Sequence, residues 1–392
     1  MNSTPNSNRK QIVFYGKTNA GKSTLLNKII GQEFALVSAK EGTTTDPIQK
    51  AMELIPFGPV LFIDTAGLFD TSELGELRGK KTMETLKRTD LGIYVSDGSM
   101  EELEAYNSWK VNFEKYEIPY ILVINKIDLM DEIKMYTLKN QFKDAYFVSS
   151  ATGQGIEELK SAMIEKFSVE EERSIFKDIV PYDGKVVMVV PVDSEAPKGR
   201  LILPQVQCIR DCLDNGIKSY VLRDTELASG LNDLKSIDLV VTDSQAFKKV
   251  AGIVPKEIRL TSFSMLFAKN KGNLPLFVEG AKAIERLKPG DKVLMAESCT
   301  HNVSHEDIGR VKIPKMLNKH IGGELIYDYK LAYDFPEDLS EYKMVIHCGG
   351  CMINRKTIIN RANHCEESSV PITNYGVAIA YLTGILDRVN CI

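Results

Sequence analysis

"GKTNAGKS", Gly16 to Ser23, is the stretch whose reading decides the fold of the N-terminal part of this chain. A short apolar run, Ile12 to Tyr15, precedes it and an amphipathic stretch follows, so the glycines bound a loop between a strand and a helix. The spacing G-x-x-x-x-G-K-S suits phosphate binding. Gly16 and Gly21 let the backbone turn its N–H groups toward phosphate oxygens, and Lys22 neutralises the β- and γ-phosphates. The Ser23 hydroxyl is placed to ligate Mg2+, and Asn19, Ala20 and Thr24 complete the lining of the loop. A chance glycine-rich turn has no reason to sit between such a strand and such a helix.

The base is read further along. "PYILVINKIDLM" is an apolar strand ending in Asn125-Lys126-Ile127-Asp128. Guanine offers two adjacent donors, and the Asp128 carboxylate accepts both; adenine has no such pair, and an unpaired buried acceptor is costly. "FVSSATGQGIEEL" adds Ser150 and Ala151 in a loop suited to the guanine O6. Between these lie the switch elements. "VLFIDTAGLFD" is a strand followed by Asp64, expected to hold Mg2+ through water, and Gly67, whose N–H faces the γ-phosphate. "EGTTTDP" supplies a threonine to close over the magnesium, Thr44 first and Thr43 next. Residues 8–168 are therefore expected to form a P-loop GTPase fold binding GTP and Mg2+.

Taken together, G-x-x-N-x-G-K-S, the G-T-T run ending in Asp46, D-T-A-G and N-K-x-D resemble the TrmE-Era branch of GTPases. The resemblance implies two things. Leu68 stands where Ras-like enzymes carry a water-positioning glutamine, so hydrolysis is expected to be slow alone or organised by other means. Asn19 matches the asparagine that helps hold K+ near the phosphates, a cation able to supply the charge of an arginine finger. Shaping the turn is the plainer role for Asn19.

Length and charge bound the rest. A chain of 392 residues, 43% apolar, implies two or three domains. Its 49 basic and 53 acidic residues argue against a general polyanion binder, so no nucleic acid is expected. No run is long and apolar enough to span a membrane, and "MNSTPNSNRK" lacks the apolar core of a signal peptide. Seven cysteines spread over this length fit a reducing cytoplasm, where clustered cysteines signal metal or redox chemistry.

Beyond a linker near Pro181, strands and helices alternate: "KVVMVVPVD", "KSYVLRD" and "IDLVVTD" as strands, and "GRLILPQVQCIRDCLDNG" as a helix closed by Gly216. Residues 180–262 read as a small Rossmann-like α/β domain with no catalytic set, expected to be a dimerisation surface. Cys208 and Cys212 share a helix face there and read as buried small residues. Residues 263–392 repeat the alternation as a second Rossmann-like domain. "DKVLMAES" runs straight into Cys299-Thr300-His301, and "YKMVIHCGGC" into Cys348 and Cys351; short helical pieces between about 305 and 320 are expected to break at Pro314. Strand ends in a parallel sheet lie on one edge, so three thiolates distant in sequence can converge there. A redox dithiol needs only Cys348 and Cys351. Zinc needs a fourth ligand, from His301 or His347. An iron–sulfur cluster takes three cysteines and a further ligand, and sequence alone leaves zinc and iron–sulfur open.

C-x-H followed downstream by H-C-x-x-C, behind a TrmE-Era-type domain, resembles the HydF family of FeFe-hydrogenase maturation GTPases. That resemblance implies a 4Fe–4S cluster on Cys299, Cys348 and Cys351, with the fourth ligand open among His301, His347, His305, Glu306 or an exogenous group. It implies a homodimer that serves as scaffold and carrier of the two-iron precursor, which HydE and HydG build and apo-hydrogenase HydA receives. The competing reading is a GTPase of RNA modification or ribosome assembly with a structural zinc site.

Overall fold

The structure, a computed structural model, describes residues 6–31, 48–55, 57–65, 73–168, 174–191, 201–298 and 307–389. The chain divides into two units, Met1–Glu171 and Glu172–Ile392.

The first unit is built on strands β1 (Lys10–Tyr15), β2 (Ile48–Leu54), β3 (Gly58–Asp64), β4 (Leu91–Ser96), β5 (Tyr120–Ile124) and β6 (Tyr146–Phe147). They lie in the order β2-β3-β1-β4-β5-β6, and all neighbours are parallel except β2 with β3. Every residue of β4 is buried, as a strand covered on both faces requires, whereas the edge strand β2 is mostly exposed. Alternation sorts β1 between two cores. Ile12 and Phe14 pack with Leu25, Leu26 and Leu159 on one face; Val13 and Tyr15 pack with Tyr106, Trp109 and Phe113 on the other.

The second unit holds two sheets. One comprises β7 (Lys185–Val189), β8 (Lys218–Leu222), β9 (Leu239–Thr242) and β10 (Arg259–Ser262); the other comprises β11 (Lys292–Glu297), β12 (Ile326–Leu331), β13 (Met344–His347) and β14 (Ile372–Asn374). Their orders, β10-β9-β7-β8 and β12-β11-β13-β14, are the same arrangement, parallel throughout, with the first strand set between the second and third. The order reverses beside β7 and beside β11, and the crevice outside those strand ends is where such sheets bind ligands. One apolar core runs through both sheets, joining Val187, Val240 and Leu260 to Leu294, Val345 and Ile372 through Met265 and Ala268 of the helix Phe263–Lys271.

One sequence expectation changes here. Pro314 does not break a helix. A π-helical turn, Ile308–Lys312, runs into the helix Ile313–Ile321, and Pro314 stands in its first turn, where a missing N–H costs nothing. The stretch Arg259–Phe267 splits into β10 and a helix start, because the Ser262 hydroxyl accepts the Met265 N–H at 3.2 Å and caps that helix.

Candidate functional site

The loop after β1 has the shape that phosphate binding needs. Gly16 adopts φ 135°, and a Cβ there would lie 2.2 Å from the Val95 carbonyl oxygen. Gly21 adopts φ 93°, and its Cβ would meet the Asn125 amide at 2.4 Å. Only glycine fits either position. Asn19 is left-handed at φ 67°, a conformation asparagine tolerates, so shaping the turn is one thing it does. Lys22 is buried, and its ammonium donates to the carbonyls of Gly16 and Lys17 at 3.0 and 2.9 Å. Burial lowers its pKa, and the charges of Asp64 and Glu102 pull it back up.

Ser23 and Asp64, the two expected magnesium-side groups, are hydrogen-bonded to each other. Among the described residues the second Asp64 oxygen, which is buried, has no hydrogen-bond partner, an orphan acceptor that a cation's water shell would satisfy. Burial raises the Asp64 pKa, against the Ser23 hydrogen bond and the charges of Lys22 and Lys50. The donor set and the orphan oxygen fit GTP with Mg2+.

At the base side, Asn125 is fully buried and ties two loops together. Its amide donates to the Ala20 carbonyl at 3.1 Å, and its carbonyl oxygen accepts the Ser150 N–H at 3.1 Å. Asp128 is exposed just after β5, oriented by the Ser149 hydroxyl. Lys126 is left-handed at φ 60° and faces Asp97 at 3.9 Å. Thr24 and Ala151 are exposed beside them. Thr43, Thr44, Gly67 and Leu68 lie outside the described residues.

In the second unit, register builds the cysteine site. Ala296 pairs with His347, and His347 with Asn374, so the chain leaves three adjacent strands level with one another. Ser298, Cys348 and Tyr375 emerge together. The Cys348 sulfur accepts the Ser298 N–H at 3.1 Å and the Gly350 N–H at 3.5 Å, and the Ser298 hydroxyl also touches it. Burial raises the thiol pKa; these donors oppose the shift by stabilising the thiolate. Gly350 closes the turn at φ 66°. Cys348 and Cys351 are both partly exposed. Cys299 follows Ser298 directly, but Cys299, His301, His305 and Glu306 lie outside the described residues. Among the described residues no group of three His, Cys, Asp or Glu side chains is assembled for a metal.

His347 is buried with both ring nitrogens engaged. Nε2 takes a hydrogen bond from Arg361 at 2.8 Å, which leaves Nδ1 to donate to the Cys348 carbonyl at 2.6 Å. Burial, then the Arg361 charge, lowers its pKa to about 3. Arg361 also reaches the Ala332 carbonyl, so the pair braces the turn from behind. Cys208, Cys212 and Cys365 are buried in apolar surroundings. His320 meets Glu285 at 3.0 Å, and His364 the Glu337 carbonyl at 2.9 Å. Sequence reasoning passed over Ser298, Arg361, Lys271 and Glu102. Ser298 had a signal, its place one residue before Cys299; the other three had none.

Fold and site together define a GTPase-type domain followed by a paired α/β unit carrying a cysteine loop at a sheet's switch point. Residues 11–126 match the model of a 50S ribosome-binding GTPase, residues 175–272 that of the hydrogen maturase F dimerization domain, and residues 275–391 that of the hydrogen maturase F tetramerization domain. The two hydrogen maturase F models take in more than half of the chain, and the chain belongs to that family of hydrogenase maturation GTPases.

The chain is also similar to curated GTPases. GTPase Era of Caldanaerobacter subterraneus subsp. tengcongensis is 26% identical over 258 residues, covering 61% of this chain and 83% of that one. GTPase Era of Geobacter sp. is 33% identical over 151 residues, 37% of this chain and 50% of that one. The tRNA modification GTPase MnmE of Endomicrobium trichonymphae is 34% identical over 169 residues, 42% and 37%. The chain thus spans half or less of these last two relatives. The G domain of the T. maritima FeoB iron transporter is 25% identical, covering 40% of this chain and 98% of that structure, at a TM-score of 0.32.

Proposed function

We propose that the chain hydrolyses GTP, binds a 4Fe–4S cluster on Cys299, Cys348 and Cys351, and carries the two-iron precursor of the hydrogenase active site to apo-hydrogenase HydA. HydE and HydG supply that precursor, and the working form is a homodimer or a higher oligomer in the cytoplasm. The observation that carries the reading is the placement of Cys348 and Cys351 at the switch point beside β11, with Ser298, the neighbour of Cys299, against the Cys348 sulfur.

The donor set fits such a cluster. Cysteine sulfurs are soft ligands, and two backbone N–H groups already point at the Cys348 sulfur, the contact that tunes iron–sulfur centres. When bound, the cluster supplies an iron–sulfur anchor to which the precursor attaches. Ser298 and Gly350 orient the Cys348 sulfur, and Arg361 through His347 fixes the turn. With His347 so engaged, the fourth ligand falls to His301, His305, Glu306 or an exogenous group. In the first unit Lys22, Ser23, Thr44, Asp64 and Gly67 hold the phosphates and Mg2+, Asn125 and Asp128 the guanine, and Asn19 a K+ ion. Among the described residues no helix is long and apolar enough to cross a membrane.

Anaerobic purification tests the reading. A brown protein with iron and labile sulfide supports it; a colourless zinc protein sinks it and favours the RNA-linked GTPase.

A further inference from the structure

The helix Phe263–Lys271 ends beneath the cysteine loop. Lys271 is only 7% exposed, and its ammonium meets two loop carbonyls at the outer limit of hydrogen bonding, Gly350 at 3.5 Å and Ile353 at 3.4 Å. The Phe267 ring lies 5.8 Å away. Among the described residues no carboxylate comes within ion-pair distance of it. A lysine in a helix's last turn ordinarily serves the helix dipole from solvent, which needs no burial. Burying an ammonium without an anion costs several kcal/mol, where a methionine of similar length would cost nothing. Burial lowers its pKa to about 8, and among the described residues the sulfurs of Cys351 first and Cys348 second are what would favour its charged form.

We propose that Lys271 is the built-in counter-cation of the cysteine loop: it offsets the charge of Cys348 and Cys351 as thiolates and holds the Gly350–Ile353 turn that presents them. This rests on the cluster reading above. Lys271 touches no reacting atom; it is a positioning residue, and its cost in the metal-free protein is offset when the thiolates form. The sign follows. A nearby cation favours adding an electron to a thiolate-ligated cluster, so removing it lowers the reduction potential, and the iron-free protein gains stability.

The experiment uses the full chain, reconstituted anaerobically, as wild type, Lys271→Met and Lys271→Arg. Lys271→Met is expected to bind iron but lose it to a chelator several-fold faster. Its midpoint potential in an EPR-monitored titration should be more negative, and its iron-free form should melt at or above the wild-type temperature. Lys271→Arg should recover the potential, and GTP hydrolysis should be the same in all three. Equal potentials and equal chelator rates in wild type and Lys271→Met would overturn the proposal while leaving the cluster reading intact. A wild type that takes up no iron would sink the cluster reading instead. The proposal would then stand or fall on iodoacetamide labelling of Cys348 and Cys351 at neutral pH, expected several-fold slower in Lys271→Met and fatal to the idea if unchanged. Should Lys271→Met fail to fold, Lys271→Gln carries the same readouts.

Discussion

Two lysines, one in each unit, rest in the same way. Lys22 donates to two carbonyls of the phosphate loop, and Lys271 to two carbonyls of the cysteine loop. Both are buried, and burial lowers the pKa of both. Each follows the pattern of a cation held ready for an anionic guest. They differ in where they come from and what surrounds them. Lys22 belongs to the loop it serves and has carboxylates nearby, Asp64 and Glu102. Lys271 arrives from a separate helix and, among the described residues, has thiols rather than carboxylates nearby. The first arrangement is local in sequence and can be recognised as a motif; the second exists only once the sheet is built.

The largest expected effect separates the two loops outright. Cys348→Ser removes a sulfur that three donors of Ser298 and Gly350 surround. It should lose most cluster iron while hydrolysing GTP at the wild-type rate, since no cysteine lies among the nucleotide residues. It should also fail to support hydrogen evolution by apo-hydrogenase incubated with the two partner enzymes. Full activation by a Cys348→Ser protein shown to lack iron would mean that the cysteine loop is not where cargo is held.

Lys22→Ala is the converse. Loss of a positioned cation at the phosphates should slow GTP hydrolysis by about 100-fold or more, a typical cost of removing one electrostatic group at a reacting centre. Iron content should stay at the wild-type level. A parallel loss of iron would show that the two units are not separable and would break the comparison.

The legibility of the two sites follows the same divide. The places of Gly16, Gly21, Lys22 and Ser23 between β1 and a helix, of Asp64 at the end of β3 and of N-K-x-D after β5 were all legible, because motifs of fixed spacing carry them. So was the parallel alternation of the second unit. The shared strand order of its two sheets was not, because the edge strand β12 is half-buried and carries no continuous apolar run. Pro314 misled because proline is a breaker inside a helix but welcome at its start, and sequence spacing alone did not locate that start. His347 was read as a candidate fourth ligand. Its engagement by Arg361 was not legible, because Arg361 comes from the separate helix Arg355–Glu367 and meets one ring nitrogen only in the fold.

A smaller effect tests whether Lys22 has help. If Asn19 holds K+ beside the phosphates, exchanging sodium for potassium should raise the wild-type hydrolysis rate several-fold. Asn19→Ala should remove the difference between the salts. Because Asn19 is left-handed, Asn19→Gly serves as the control: it keeps the turn but not the side chain. Equal rates in both salts for the wild type would leave Asn19 with the turn alone.

The smallest effect concerns the carboxylate that distinguishes the surroundings of Lys22 from those of Lys271. Glu102 lies in the first turn of the helix Met100–Lys115 and accepts the backbone N–H of Lys17; its second oxygen is buried and, among the described residues, has no partner. Burial first, and then the Asp97 charge, raises its pKa to about 7, against the charges of Lys17 and Lys22. The folded protein therefore holds a proton on Glu102 that the unfolded chain releases near 4.5, the ordinary glutamate value. Below that value both states are protonated and Glu102 costs nothing. As pH rises toward 7 the unfolded chain binds fewer protons than the native one, so stability falls, and above 7 the loss is complete. Glu102→Gln should remove that slope, raising stability at pH 8 by about 1 kcal/mol and leaving pH 4 nearly unchanged. Trp109 is the chain's single tryptophan and stacks on Tyr15 with centroids 5.1 Å apart, so its fluorescence reports unfolding of this unit alone. Urea midpoints read from it at pH 4 and pH 8 decide the matter. A Glu102→Gln protein with the wild-type slope would mean that Glu102 titrates alike in the folded and unfolded chains, the cost of its burial already offset by Lys17 and Lys22. The two buried lysines would then differ more deeply than their shared pose implies: one neutralised by its own loop's neighbours, the other waiting for thiolates.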